Sequence, residues 1–338
     1  MIYGLVLRIR HLLYDKGWKK SFSAPVPTVC VGNITVGGTG KTPHVELLLR
    51  LLLAAGKQPA VLSRGYKRKL KGFQQVPADS SAALYGDEPV QIAHKFPEVP
   101  VAVDKDRVHG CEQLASCHPE RSRGISCIVL DDAFQYRRLR ATLNIVLVDF
   151  HRPVFKDRLL PWGRLRDLPK RLQAAQLVIV TKCPAELSAQ EREAWRKDLH
   201  LSPEQQLFFT TLQYGTPLPV FPEADKHYLY AKQCTVFTGI ANDAPLRRYL
   251  SDTYKILQHF QFPDHHAYGK GDLRRIARAV KASATSCLIT TEKDAQRLRD
   301  CKNVPQSIRE RLFFVPIEAA FLQEEEQAAF TAALLAVL

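Results

Sequence analysis

Apolar residues first recur at helical spacing, at Ile2, Leu5, Val6, Ile9, Leu12 and Leu13, with Arg8, Arg10, Lys16, Lys19 and Lys20 interleaved or following. The pattern predicts an amphipathic helix within residues 1–22, with a basic polar side and Trp18 near its end. Such a helix suits an anionic membrane surface; the competing reading packs it on the protein's own core. Short β-branched runs follow: TVCVGNI (28–34), QPAVLSRGY (58–66), VPVAVD (99–104), SCIVLDD (126–132), LNIVLVDF (143–150) and LVIVTKC (177–183). Runs of this kind are buried on both faces of a parallel sheet. Helical stretches lie between most of them, such as TPHVELLLRLLLAAG, which stops at Gly56. The alternation predicts βαβ units and an α/β fold with a doubly wound, mostly parallel sheet.

After about residue 205 the rhythm changes. FFTTLQYGTPLPVF (208–221) is extended and rich in turn residues, and reads as a hinge spanning 206–235. CTVFTGIAN, YKILQHFQF, SCLITTEKD and LFFVPIEAAF then predict a smaller α/β domain over 236–338, with helices near 243–251, 271–282 and 293–300 and a final helix from about Gln323. The larger domain is expected over 23–205, and HPERSRGI (118–125) reads as a solvated loop insertion.

Composition narrows the setting. A hydrophobic share of 46% and a charged share of 24% are ordinary for a globular protein, and no apolar run is long enough to span a membrane. The first twenty residues mix charge through their apolar part, unlike a secretory leader, so a cytoplasmic protein is expected. The eight cysteines include no C-x-x-C pair and several sit in strand-like runs, which predicts buried reduced thiols. Cys111, Cys117 and His118 are close together but match no common zinc spacing. The net charge of +14 attracts polyanions of several kinds. No RNA-binding signature or DNA-reading module accompanies it, so nucleic acid is not expected.

Chemistry concentrates in a few stretches. CVGNITVGGTGKTP (30–43) lies between a predicted strand and a helix, as a phosphate-binding loop must. Gly37, Gly38 and Gly40, with Thr39, can turn backbone N–H groups onto phosphate oxygens. Lys41 would reach the β- and γ-phosphates and Thr42 would hold Mg²⁺. Thr35 stands where the usual spacing has glycine, so the loop is the tighter G-G-x-G-K-T variant found among P-loop ATPases. Asp131 and Asp132 end an apolar strand, where such enzymes place magnesium-organising acids. Asp87 and Glu88 open a helix, either as dipole partners or with one as the base that takes a proton from an attacking hydroxyl. Asp264, His265 and His266 precede a helix of the second domain. A histidine there could face a carboxylate of the first domain only on closure. Arg64, Arg107, Arg164 and Arg166 supply forks for phosphate oxygens.

Together VGNITVGGTGKTP, VLSRGY, YGDEPVQIA, DDAFQ, LPWGRLRD, FPDHHAY and TTEKDAQRL resemble the tetraacyldisaccharide 4'-kinases, in family order from 31 to 298. The resemblance implies a P-loop kinase that uses ATP and Mg²⁺ to phosphorylate the 4'-hydroxyl of an acylated disaccharide 1-phosphate, in lipid A biosynthesis. It also implies a peripheral position on the cytoplasmic face of the Gram-negative inner membrane, and a monomer is expected. Carried onto this sequence, Lys41 and Thr42 hold phosphate and metal, and Asp87 is the general base tuned by His265. Glu88, Asp131 and Asp132 organise the metal, while Arg107 and an arginine of 160–167 neutralise the transferring group. Ala133 and Tyr136 replace the family's usual glycine and histidine; Trp162 and Arg164 also depart, leaving Arg164 and Arg166 as alternatives. The rival reading is a P-loop ATPase switch, which would dimerise across its nucleotide.

Overall fold

The computed structural model describes residues 2–116 and 124–338. Cys117, His118 and most of the expected insertion at 118–125 fall outside them. Leaving the shortest turns unlabelled, the chain runs α1 (Ile2–Asp15), β1 (Thr28–Gly32), α2 (Lys41–Ala54), β2 (Pro59–Ser63), β3 (Gln74–Gln75), α3 (Asp87–Lys95), β4 (Val101–Val103) and α4 (Arg107–Ser116). It continues through β5 (Cys127–Asp131), β6 (Leu143–Asp149), β7 (Leu177–Thr181), α5 (Ala189–Asp198), β8 (Gln206–Tyr214), β9 (Leu218–Pro219), β10 (Gln233–Thr238) and α6 (Ala244–Ser251). Last come β11 (Lys255–Gln261), α7 (Lys270–Lys281), β12 (Cys287–Thr291), α8 (Glu292–Arg299), β13 (Leu312–Val315), β14 (Ile317–Phe321) and α9 (Glu324–Leu335).

The larger sheet has nine strands in the order β14-β8-β7-β6-β1-β5-β2-β4-β3, parallel except for the edge strands β14 and β3. Its central strands β1, β2, β5 and β7 are buried along their whole length, because helices cover both faces. Leu48, Leu49 and Leu52 of α2 pack on one face with Val29, Val61 and Val129. Val108, Cys111 and Leu114 of α4 pack on the other with Leu62, Ile128 and Leu130. Alternate residues of one strand thus feed two cores, which is why these runs read as continuously apolar. The strand order reverses around β1 and β5, so their carboxyl ends flank the crevice where open α/β sheets take ligands.

The smaller sheet has the order β9-β13-β12-β10-β11, with β10 to β13 parallel. Two placements correct the sequence reading. Residues 206–214, expected in a hinge, form β8, a member of the larger sheet paired with β7 and β14. Residues 317–335, expected in the second domain, return to the larger sheet as β14 and α9, with Phe330 and Leu334 buried in its core. The apolar pattern of LFFVPIEAAF is the same whichever sheet receives it, and the division falls at Pro316, which lies between β13 and β14.

Candidate active site

The glycine loop leaves the buried end of β1 and turns directly into α2. Gly40 precedes the helix at φ 83°, a left-handed angle that favours glycine. Its carbonyl lies 2.7 Å from His44 Nδ1, and His44 Nε2 is 2.8 Å from Thr210 Oγ1, tying the loop to β8. Asn33 Nδ2 donates to Thr39 Oγ1 at 2.7 Å, Thr181 Oγ1 donates to the Thr39 carbonyl at 3.0 Å, and the Lys182 ammonium donates to the Gly38 carbonyl. The Thr39 side chain is therefore a buried brace behind the loop.

Thr35 acquires a reason. It forms an antiparallel bridge with Leu165, Val36 N donates to the Arg164 carbonyl at 2.8 Å, and Arg166 N donates to the Ile34 carbonyl at 2.9 Å. A β-branched residue suits this extended pairing better than glycine. The pairing also delivers Arg166, whose guanidinium grips Asp132 and the Asn33 side chain. Arg164 is exposed at the surface and engages the loop only through its backbone. Of the two arginines, Arg166 is the one in the crevice.

Asp131 ends β5, and Asp132 follows at φ 50°. Lys41 Nζ stands 3.8 Å from Asp132 Oδ1, and Ser63 Oγ donates to Asp131 Oδ2 at 2.9 Å. Burial and the neighbouring charges of Asp132 and Glu88 push the Asp131 carboxyl up to about 6. Burial also opposes ionisation of Asp132, but the Lys41 charge and the Arg166 hydrogen bond and charge outweigh it and hold that carboxyl low. Burial lowers the Lys41 ammonium, and the charges of Arg166 and Lys293 add to the effect. Arg107 lies beneath, buried, donating from Nη1 to the carbonyls of Asp104 and Lys105. Its guanidinium sits 5.8 Å from the ring centre of Tyr136, whose hydroxyl donates to Asp106 Oδ1 at 2.9 Å. Ala133 packs in the core and takes no part.

Asp87 and Glu88 open α3 after Gly86, which adopts φ 104° against the backbone of Gly65 and Tyr66. The smaller unit reaches them from the other side. His265, itself at φ 61°, places Nδ1 3.2 Å from Asp87 Oδ2. Arg297 of α8 donates to the same oxygen from Nε at 3.0 Å and Nη2 at 2.6 Å. Lys293 Nζ donates to Glu88 Oε1 at 2.6 Å. Burial alone would raise Asp87, but the His265 and Arg297 contacts and the Lys293 charge prevail and hold it down at about 2. Glu88 is likewise lowered, against its burial, by Lys293.

The helix α1 packs beside the Arg166 segment. Its inner face buries Leu7 and His11, and His11 Nε2 meets the fully buried Asp167 at 2.6 Å. Tyr3 Oη donates to the Arg166 carbonyl at 2.8 Å and Arg10 Nη2 to the Gln135 carbonyl at 2.6 Å.

A glycine loop, paired strand-end acids and a carboxylate–histidine contact between two units share one crevice, and known proteins match the whole chain. The family model described as tetraacyldisaccharide-1-P 4'-kinase (LpxK) matches residues 1–338. This chain belongs to that family. Curated relatives named tetraacyldisaccharide 4'-kinase include those of Phocaeicola vulgatus, 42% identical over 96% of this chain and 90% of theirs, and Porphyromonas gingivalis, 39% identical over 100% and 95%. A solved structure of LpxK from Aquifex aeolicus, described as an "apo" form in complex with ATP, superposes with a TM-score of 0.74. It is 29% identical and covers 98% of this chain and 95% of its own.

The structure of this kinase brings together Lys41, Thr42, Glu88, Asp87, Asp131, Asp132, Arg166 and His265 around one crevice, with Arg107 behind them. Sequence reasoning missed Asn33, Ser63, His44, Lys293 and Arg297. TTEKDAQRL was visible as a motif, yet basic residues on an amphipathic helix read equally well as a solvated face. No cluster of three or more His, Cys, Asp or Glu arranged as a metal site occurs among the described residues; Cys111 is buried, which pushes its thiol up to about 12, while Cys117 and His118 lie outside those residues. No helix among them is long and apolar enough to cross a membrane.

Proposed function

We propose that this kinase transfers the γ-phosphoryl group of ATP to the 4'-hydroxyl of an acylated glucosamine disaccharide 1-phosphate. The observation that carries the reading is the Asp87–His265 contact, made between two units beside the acids and the phosphate loop. A carboxylate in that position can accept the hydroxyl proton as its oxygen attacks phosphorus and the bond to the β-phosphate bridging oxygen breaks, releasing ADP. Lys41 and the amino end of α2 hold phosphate oxygens, and Arg166 neutralises charge on the transferring group.

The residues suit a divalent cation. Asp131, Asp132, Glu88 and Thr42 are hard oxygen donors, and burial, with the charges of Asp132 and Glu88 added, raises the Asp131 carboxyl, an effect a bound cation would offset. Mg²⁺ held there would offset charge on the phosphate oxygens when bound.

The helix α1 supports a peripheral place on the cytoplasmic face of the inner membrane. Ile2, Leu5, Val6, Ile9 and Leu12, which could have packed on the core, are instead exposed along one stripe, with Trp18 exposed beyond them. Its other side, with Tyr3, Leu7, Arg10 and His11, docks on the protein. An apolar stripe flanked by Arg8, Lys16, Lys19 and Lys20 fits an anionic bilayer surface. The test is incubation with γ-labelled ATP and acyl-disaccharide 1-phosphate in detergent micelles. Label on the lipid is expected, and its absence alongside ATP hydrolysis would overturn the reading.

A further inference from the structure

We propose that Arg297 is the positioning residue of the base, clamping one carboxylate oxygen of Asp87 so that the other is presented to the acceptor hydroxyl. The inference deepens the proposed function and rests on its reading of Asp87 as the base. Every hydrogen bond to the Asp87 side chain among the described residues falls on Oδ2: Arg297 Nε at 3.0 Å, Arg297 Nη2 at 2.6 Å and His265 Nδ1 at 3.2 Å. A carboxylate held through one oxygen cannot rotate freely, and its second oxygen keeps its lone pairs for a substrate proton.

Arg297 is itself fixed from behind. Its Nη1 donates to Asp294 Oδ1 at 2.9 Å and to the Gly239 carbonyl at 3.0 Å, and its side chain is 9% exposed. Asp294 is fully buried, accepts from Gly239 N at 2.9 Å and from Thr291 Oγ1 at 2.6 Å, and accordingly cannot follow a moving arginine. The Gly239 carbonyl also accepts from His265 N at 3.1 Å. One guanidinium therefore sets the base and the turn that carries its histidine. Lys293 on Glu88, and Asp300 just past the end of α8 accepting from Ser81 Oγ at 2.8 Å, reinforce the docking. The TTEKDAQRL stretch gains a purpose: Thr291 and Asp294 hold the helix start, Lys293 and Arg297 seat the two acids of α3.

In the transfer reaction the moving parts balance without Arg297 changing protonation. The acceptor oxygen bonds to phosphorus, its proton passes to Asp87, and ADP departs. Arg297 acts only through Asp87, orienting the carboxylate and keeping it ionised, so its effect must vanish when the base is absent.

A double-mutant cycle on the full chain tests this, using ATP and acyl-disaccharide 1-phosphate in micelles. Arg297→Ala is expected to lower kcat by about tenfold to hundredfold, with KM for ATP within about twofold of the parent. Arg297→Lys is expected to recover part of the loss. In the Asp87→Asn background, Arg297→Ala is expected to cost less than about twofold more, because the two residues act as one unit. Asp300→Ala, which breaks a docking contact remote from Asp87, is expected to keep near-parent turnover. A full additional loss in the Asp87→Asn background, or an Asp300→Ala loss equal to that of Arg297→Ala, would overturn the positioning role while sparing Asp87 as the base. Parent-level turnover of Asp87→Asn itself would remove the base, and this inference with it. Should Arg297→Ala fail to fold, Arg297→Gln takes its place in the same cycle.

Discussion

Thr35 shows how a single residue changes meaning between sequence and structure. As a letter it spoils a glycine spacing; in space it pairs with Leu165 and so brings Arg166 onto Asp132. The same pairing separates two arginines that sequence left equivalent. Arg166→Ala is expected to lower kcat by roughly a hundredfold or more, as loss of a preorganised charge partner does. Arg164→Ala is expected to stay within about twofold, and comparable losses in both steady-state assays would contradict the assignment. His44 is a second case. It is fully enclosed, burial holds its imidazole down at about 4, and it joins the Gly40 carbonyl to Thr210. His44→Leu removes both side-chain bonds and leaves Thr210 Oγ1 only the long 3.5 Å bond to the Val180 carbonyl, so urea denaturation should show a loss of about 1–3 kcal/mol.

Among the elements, α1 is the one whose pattern predicted two outcomes. Helical spacing of Ile2, Leu5, Val6, Ile9 and Leu12 is equally good for a core-facing and a membrane-facing helix. The core is excluded by its other side, where Leu7, His11, Tyr3 and Arg10 pack or bond on the protein and leave the apolar stripe exposed. Leu5→Glu with Ile9→Glu is expected to lower cosedimentation with anionic phospholipid vesicles by at least about tenfold, given the area of apolar surface made polar. Thermal midpoint and ATP hydrolysis should hold, since neither side chain packs inward; unchanged vesicle binding would end the membrane role. The strands of the larger sheet, by contrast, were legible because full burial writes a continuous apolar run. The strand β8 was not, since its turn-rich continuation at 215–221 made the whole stretch resemble a hinge.

Over the whole molecule, α3 and α8 lie side by side where the two units meet, with Asp87 and Glu88 against Arg297 and Lys293 and Lys95 against Glu292. Beside the clamp on Asp87, Lys95 is shared between Glu46 at 2.7 Å and Glu292 at 3.6 Å, with Arg50 and Arg299 also nearby. One ammonium cannot neutralise two buried carboxylates, so burial and the Glu46 charge push Glu292 up to about 7. A folded-state value above the unfolded one means that the folded protein binds the proton more tightly. The resulting stability is present below about pH 4.5 and fades as pH rises through about 7. Glu292→Gln is therefore expected to raise the thermal midpoint at pH 8 and to leave it unchanged at pH 4.5, and equal effects at both would refute the ionic origin. The sequence by itself determined the phosphate loop, the strand-end acids, the βαβ rhythm and the family, because each is written in neighbouring residues and enforced by local geometry. Only the tertiary structure decided that β14 and α9 return to the first sheet and that α1 turns its apolar stripe outward. It alone set Arg166 on Asp132 and Arg297 on Asp87. Those facts depend on residues 34 to 210 positions apart, whose pairing follows from packing and charge compensation and leaves no local pattern to read.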